Sequence, residues 1–122
     1  MKISKHFNSK EFDCNDGTPY PKEWYPRLVR LCEALELIRG ITNQPMTITS
    51  GYRTPEWNRK VGGKRASKHL EGMAADIKLK GIGPKRLFKM IDIMQRDGVI
   101  PRGGLFLYPT FIHVDIRGRI AR

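Results

Sequence analysis

Leu28, Leu31, Cys32, Leu35 and Ile38 recur at helical spacing, and that period predicts an amphipathic helix from about Pro26 to a stop at Gly40. Residues 1–25 ahead of it show no period. Their turn formers, dense from Cys14 to Pro21, predict an irregular lead-in. Met46–Thr49 reads as a strand running into the turn Ser50-Gly51-Tyr52, and Pro55–Lys60 as a short helix. Ala74–Leu79 alternates as a second strand, closed by Gly81 and Gly83. Pro84 suits a first helical turn, and Leu87, Met90, Ile91 and Met94 form the stripe of a helix ending near Gly98. Gly103–Leu107 and Phe111–Ile116 read as two strands joined by a hairpin-like Tyr108-Pro109-Thr110. This order predicts a small α+β fold over residues 1–122.

Composition narrows the picture. A chain of 122 residues with 39% hydrophobic content supports one modest core and not two. No apolar run approaches the roughly 18–20 residues of a membrane span, so membrane insertion is not expected. The opening residues hold no apolar signal region, so synthesis in the cytoplasm without a signal peptide is expected. Cys14 and Cys32 are too few for a disulfide scaffold, and Cys32 falls on the apolar stripe as a small hydrophobe.

The net charge of +11 is unevenly spread. Residues 1–49 hold seven basic and six acidic groups; residues 50–122 hold sixteen and six. Arg59, Lys60, Lys64, Arg65 and Lys68 crowd one stretch, and such a field attracts polyanions: nucleic acid, anionic membrane surfaces or anionic cell-wall polymers. No helix-turn-helix, zinc-finger or RNP pattern accompanies the cluster, and aromatics are not interleaved with it, so a specific nucleic acid partner is not expected.

The chain has three histidines, His6, His69 and His113. His69 stands seven residues before Asp76, with Gly72, Ala74 and Ala75 between them to allow a tight turn and close approach. In Phe111–Arg117, period two puts His113 and Asp115 on one face with Phe111 and Arg117, and Ile112, Val114 and Ile116 on the other. Two imidazoles and a carboxylate, with a fourth position open to water, is the donor pattern of a hydrolytic zinc site.

The run Ser67-Lys68-His69-Leu70-Glu71-Gly72-Met73-Ala74-Ala75-Asp76 resembles the SxHxxGxAxD signature of the zinc D-alanyl-D-alanine peptidase family. Ser50-Gly51-Tyr52-Arg53 is similar to the segment preceding that signature, and Phe111-Ile112-His113-Val114-Asp115 to its C-terminal zinc-histidine strand in a small single-domain subgroup. The family contains carboxypeptidases, dipeptidases and phage endolysins, and shares its fold with the Hedgehog signalling domain. The resemblance implies an antiparallel sheet flanked by helices and one Zn²⁺ per chain held by His69, Asp76 and His113. It implies that Arg53 anchors substrate and stabilises the developing oxyanion. Ser67 would hydrogen-bond the substrate backbone, unless it is a turn or cap serine.

One departure bears on catalysis. Where many members carry a catalytic carboxylate three residues before the last zinc histidine, this chain has Thr110. Asp115 is then the remaining local carboxylate and is assigned as the general base, the other reading being a partner that orients a zinc histidine. The implied activity is a monomeric zinc peptidase acting on peptidoglycan stem peptides at the bacterial cell wall, as a D,D-carboxypeptidase or an endopeptidase, with a phage or prophage endolysin among the options and with its basic surface drawn to anionic wall polymers. The alternative is a catalytically silent zinc-containing binding domain of the same fold.

Overall fold

A computed structural model describes residues 1–122. Helix α1 spans Tyr25–Thr42, β1 Met46–Ser50, α2 Pro55–Lys60, β2 Ala74–Leu79, α3 Pro84–Arg96, β3 Leu105–Leu107 and β4 Ile112–Asp115. The strands form one antiparallel sheet in the order β1-β2-β4-β3, so the fold is the α+β architecture expected. No helix is long and apolar enough to cross a membrane.

The apolar stripe of α1 is buried, with Leu28, Leu31, Cys32, Leu35 and Ile38 all at 1% exposure or less. Leu87, Ile91 and Met94 of α3 and Ile77, Ile112 and Val114 of the sheet join them in one core. Gly40 does not stop α1. Nothing crowds it, and the helix runs on to Thr42, where Asn43 ends it in the left-handed region at φ 50°.

The lead-in is more ordered than its lack of period suggests. It holds two short 3₁₀ turns, Ser9–Phe12 and Lys22–Trp24, and sends Phe7, Phe12 and Tyr20 into the core. Glu36 of α1 ties it down, accepting hydrogen bonds from Ser4 Oγ at 2.6 Å and the His6 amide at 2.7 Å. Irregular backbone carries no periodic signal even when its aromatics are core residues.

Two irregularities at the sheet's ends shape the ground around its central strands. β1 is irregular between Ile48 and Ser50, and Gly51 then lies so close to the backbone of Phe12 that a Cβ there would collide with it. β3 begins at Leu105 and not at Gly103, because Gly103 and Gly104 fold against Asp115. The Gly104 amide donates to Asp115 Oδ1 at 2.7 Å, and a Cβ on either glycine would strike Asp115.

Candidate metal centre and cleft

The register of the sheet sets Asp76 opposite His113 on its two central strands. His69 precedes β2 on a 3₁₀ turn, Lys68–Glu71, whose first amides are capped by Ser67: Ser67 Oγ accepts from the His69 amide at 3.2 Å. Gly72 ends the turn at φ 67°, and its carbonyl accepts the Tyr20 hydroxyl at 2.7 Å. These contacts swing His69 back over Asp76. The Arg53 amide also donates to the His69 carbonyl at 3.0 Å, fixing the segment after β1 to the same turn.

Three donor atoms meet at the centre. His69 Nε2 lies 3.0 Å from Asp76 Oδ1 and 3.2 Å from His113 Nδ1, and His113 Nδ1 lies 3.3 Å from Asp76 Oδ1. All three residues are buried. Zn–N and Zn–O bonds of roughly 2.0–2.2 Å in a tetrahedron set donors about 3.3–3.5 Å apart, so this triangle is close to one face of that tetrahedron. The outer nitrogens are already committed. His69 Nδ1 donates to the Gly51 carbonyl at 2.7 Å, and His113 Nε2 donates to Asp115 Oδ2 at 2.8 Å. Those partners assign tautomers that turn both inner lone pairs toward Asp76, the arrangement a metal-ligating histidine needs. The residues present therefore fit a zinc ion.

Burial works to raise the pKa of Asp76, but His113 and His69, when protonated on their inner nitrogens as well, donate to it and outweigh burial, holding the carboxyl at about 2. Burial likewise disfavours charge on His113, and Asp115 and Asp76 beside it reverse that effect and raise its pKa. Asp115 is held below the ordinary carboxylate range despite its burial by His113, Arg117 and the Gly104 amide.

A cleft of about 440 Å³ opens over the triad. Arg53, Lys64, Lys68 and Arg117 line it, with Phe106, Tyr108 and Phe111 as an aromatic wall, and Asp76 is its one carboxylate. Arg53 donates through Nε to Ser50 Oγ, through Nη1 to Asn58 Oδ1 and through Nη2 to Asp76 Oδ2, each at 3.2 Å. Ser67 lines the cleft while its hydroxyl caps the turn.

Asp115, the candidate base, lies off the cleft. It is fully buried behind His113. One oxygen or both take hydrogen bonds from His113, Gly104 and the Arg117 guanidinium, the shortest from Arg117 at 2.6 Å. Thr110 is also outside the cleft lining. Arg117 lies on the face to which the alternation of β4 assigns it. Nothing in the sequence marks Asn58, whose importance comes from its burial on a six-residue helix between Arg53 and the loop at residues 61–66.

The family model described as Peptidase M15 matches residues 3–115. The chain belongs to the peptidase M15 family. Comparison with curated proteins gives no match. M15 enzymes are zinc-dependent peptidases, the family whose motifs the sequence resembles. In this M15 chain the buried His69, Asp76 and His113 group is able to bind a metal.

Proposed function

We propose that this M15 chain is a zinc hydrolase of peptidoglycan stem peptides, with His69 Nε2, Asp76 Oδ1 and His113 Nδ1 as the metal ligands. The triangle of three donors with outward-locked tautomers at the floor of an open cleft carries this reading. A zinc ion held there supplies a Lewis acid for the scissile carbonyl and makes water acidic enough to ionise near neutral pH.

The chain's own residues do the rest. Arg53 uses three of its five N–H bonds on Ser50, Asn58 and Asp76, which leaves one on each terminal nitrogen to meet the oxyanion or a substrate carboxylate. Its side chain is only 14% exposed, so little water competes for those donors. The aromatic wall of Phe106, Tyr108 and Phe111 seats the apolar parts of the peptide. Asp115 holds His113 in the tautomer that presents Nδ1, as a positioning residue and not as the base. Arg59, Lys60 and Arg65 on the exposed rim attract the anionic polymers of the bacterial wall.

The absence of a second carboxylate from the cleft favours one other reading, a zinc domain that binds wall peptide without cleaving it. Zinc analysis and release of new amino groups from purified peptidoglycan separate the two. The hydrolase carries about one zinc per chain, releases amino groups, and loses both properties in Asp76→Ala. A zinc-loaded wild type that releases none is the binding domain. A folded wild type that cannot be loaded with zinc overturns both.

A further inference from the structure

Four basic side chains line the cleft, and three already face a carboxylate. Arg53 meets Asp76 at 3.2 Å, Lys68 meets Glu71 at 2.8 Å and Arg117 meets Asp115 at 2.6 Å. Lys64 has no such partner. Its ammonium instead lies 4.2 Å from the centroid of the Phe106 ring, which is itself 5.2 Å from the ring of His113. A ring face attracts a cation but accepts none of its three hydrogen bonds fully, so the ammonium is held over the cleft with its donors free for an anion.

The loop that carries Lys64 is fixed from beneath. Asn58, 3% exposed, donates through Nδ2 to the Lys64 carbonyl at 2.9 Å, and its backbone carbonyl accepts the Gly63 amide at 2.8 Å. The same Asn58 side chain accepts from Arg53 through Oδ1. Gly62 makes the turn at φ 73°, and a Cβ on Gly63 would run into Asn58. Asn58 thus sets Arg53 and Lys64 in a fixed relation on one cleft wall.

We infer that Lys64 determines specificity by receiving a substrate carboxylate other than the group that Arg53 meets, so that the cleft selects acidic peptides over neutral ones. The inference rests on the peptidase reading for its substrate, but its test includes binding as well as turnover. Zinc-loaded protein is given peptidoglycan and its soluble muropeptides in two forms, untreated and with carboxylates capped by carbodiimide and methylamine. Both cleavage rate at low substrate and binding affinity are measured.

Wild type is expected to prefer the untreated form by roughly three- to ten-fold at low salt, with the preference shrinking as ionic strength rises. Lys64→Gln cuts the preference by about three-fold, leaving what Arg53 contributes, Lys64→Arg keeps it, and Lys64→Glu cuts it further than Lys64→Gln. A Lys64→Gln variant with the wild-type preference overturns the assignment. Failure of cleavage with a Lys64-dependent binding preference overturns the hydrolase reading and leaves the role of Lys64 standing. A wild type that binds both forms equally overturns the role of Lys64 whatever the cleavage result.

Discussion

Replacing Asp115 by Asn separates orientation from proton transfer. The amide keeps the shape of the side chain and can still accept from the Gly104 amide and from Arg117 on its oxygen side. On the other side its NH₂ would face His113 Nε2–H and the Arg117 Nη2, donor against donor. The way out is for His113 to move its proton to Nδ1, the nitrogen 3.3 Å from Asp76 and turned toward the metal position. The ligand is then capped by a proton.

Loss of such an outer partner lowers metal affinity by about 10–100-fold, or about 1.4–2.7 kcal/mol. Stability also falls, because removing the charge of a fully buried carboxylate leaves Arg117 without its counter-charge. Breaking a buried pair costs about 3–5 kcal/mol, and the partial exposure of Arg117, 16% of its side chain, reduces the expectation to about 2–3 kcal/mol. Competition with a chromophoric chelator gives the zinc affinity, and peptidoglycan cleavage is then measured at saturating zinc. An orienting Asp115 shows weakened zinc binding and a rate that recovers to within about ten-fold when zinc is added in excess. A general base would give wild-type affinity and a rate lower by about 10²–10⁴-fold at every zinc concentration. Unchanged affinity in Asp115→Asn refutes the tautomer reasoning.

Gly72→Ala places a Cβ at φ 67° and 2.6 Å from the Tyr20 hydroxyl oxygen, so denaturant unfolding is expected to show a loss of about 2–4 kcal/mol; a change below about 0.5 kcal/mol would mean the turn before β2 is not as constrained as described. Glu36 is partly desolvated, which raises its pKa, but the bonds from Ser4 and His6 prevail and lower it. Its stabilisation is therefore present above the unfolded carboxylate value near 4.3 and lost as pH falls through the lower folded value. Glu36→Gln should cost about 1–2 kcal/mol at pH 7 and progressively less below pH 4, measured by urea unfolding across that range; a pH-independent difference contradicts the linkage. Both cysteines are free and buried, and burial pushes the Cys32 thiol up to about 12, so neither should react with a thiol reagent until the protein unfolds; rapid labelling of native protein would contradict the core placement.

Periodicity reveals the elements that bury one face. The α1 stripe, the β2 alternation and the His113–Asp115 face of β4 are legible because each repeats a simple spacing. The short helix Pro55–Lys60 and the strand Ala74–Leu79 have the boundaries their sequences predict. What stays hidden depends on chain segments far apart. Gly40 has the composition of a stop, but only its surroundings show that nothing enforces one there. The cover that Gly103 and Gly104 place on Asp115 cannot be seen from a strand that alternates toward solvent, and so the residue facing the expected working side is sealed behind its histidine. Asn58 gives no signal, and Lys64 shows only as one member of a basic cluster, because their roles come from a loop folding back on a helix.

Each ligand is braced by backbone from a different part of the chain. His69 leans on the Gly51 carbonyl, Gly51 packs on Phe12 of the lead-in, and the His69 carbonyl takes the Arg53 amide. His113 leans on Asp115, which is held by the amide of Gly104. Asp76 needs no loop, since β1 and β4 flank it on both sides in register. The lead-in is therefore part of the scaffold of the site. Loosening it, as at Glu36, should weaken zinc binding through Phe12, Gly51 and His69 while leaving the Asp76–His113 register of the sheet intact. If Glu36→Gln lowers stability and zinc affinity stays unchanged, the brace from lead-in to His69 is not mechanically coupled to the centre.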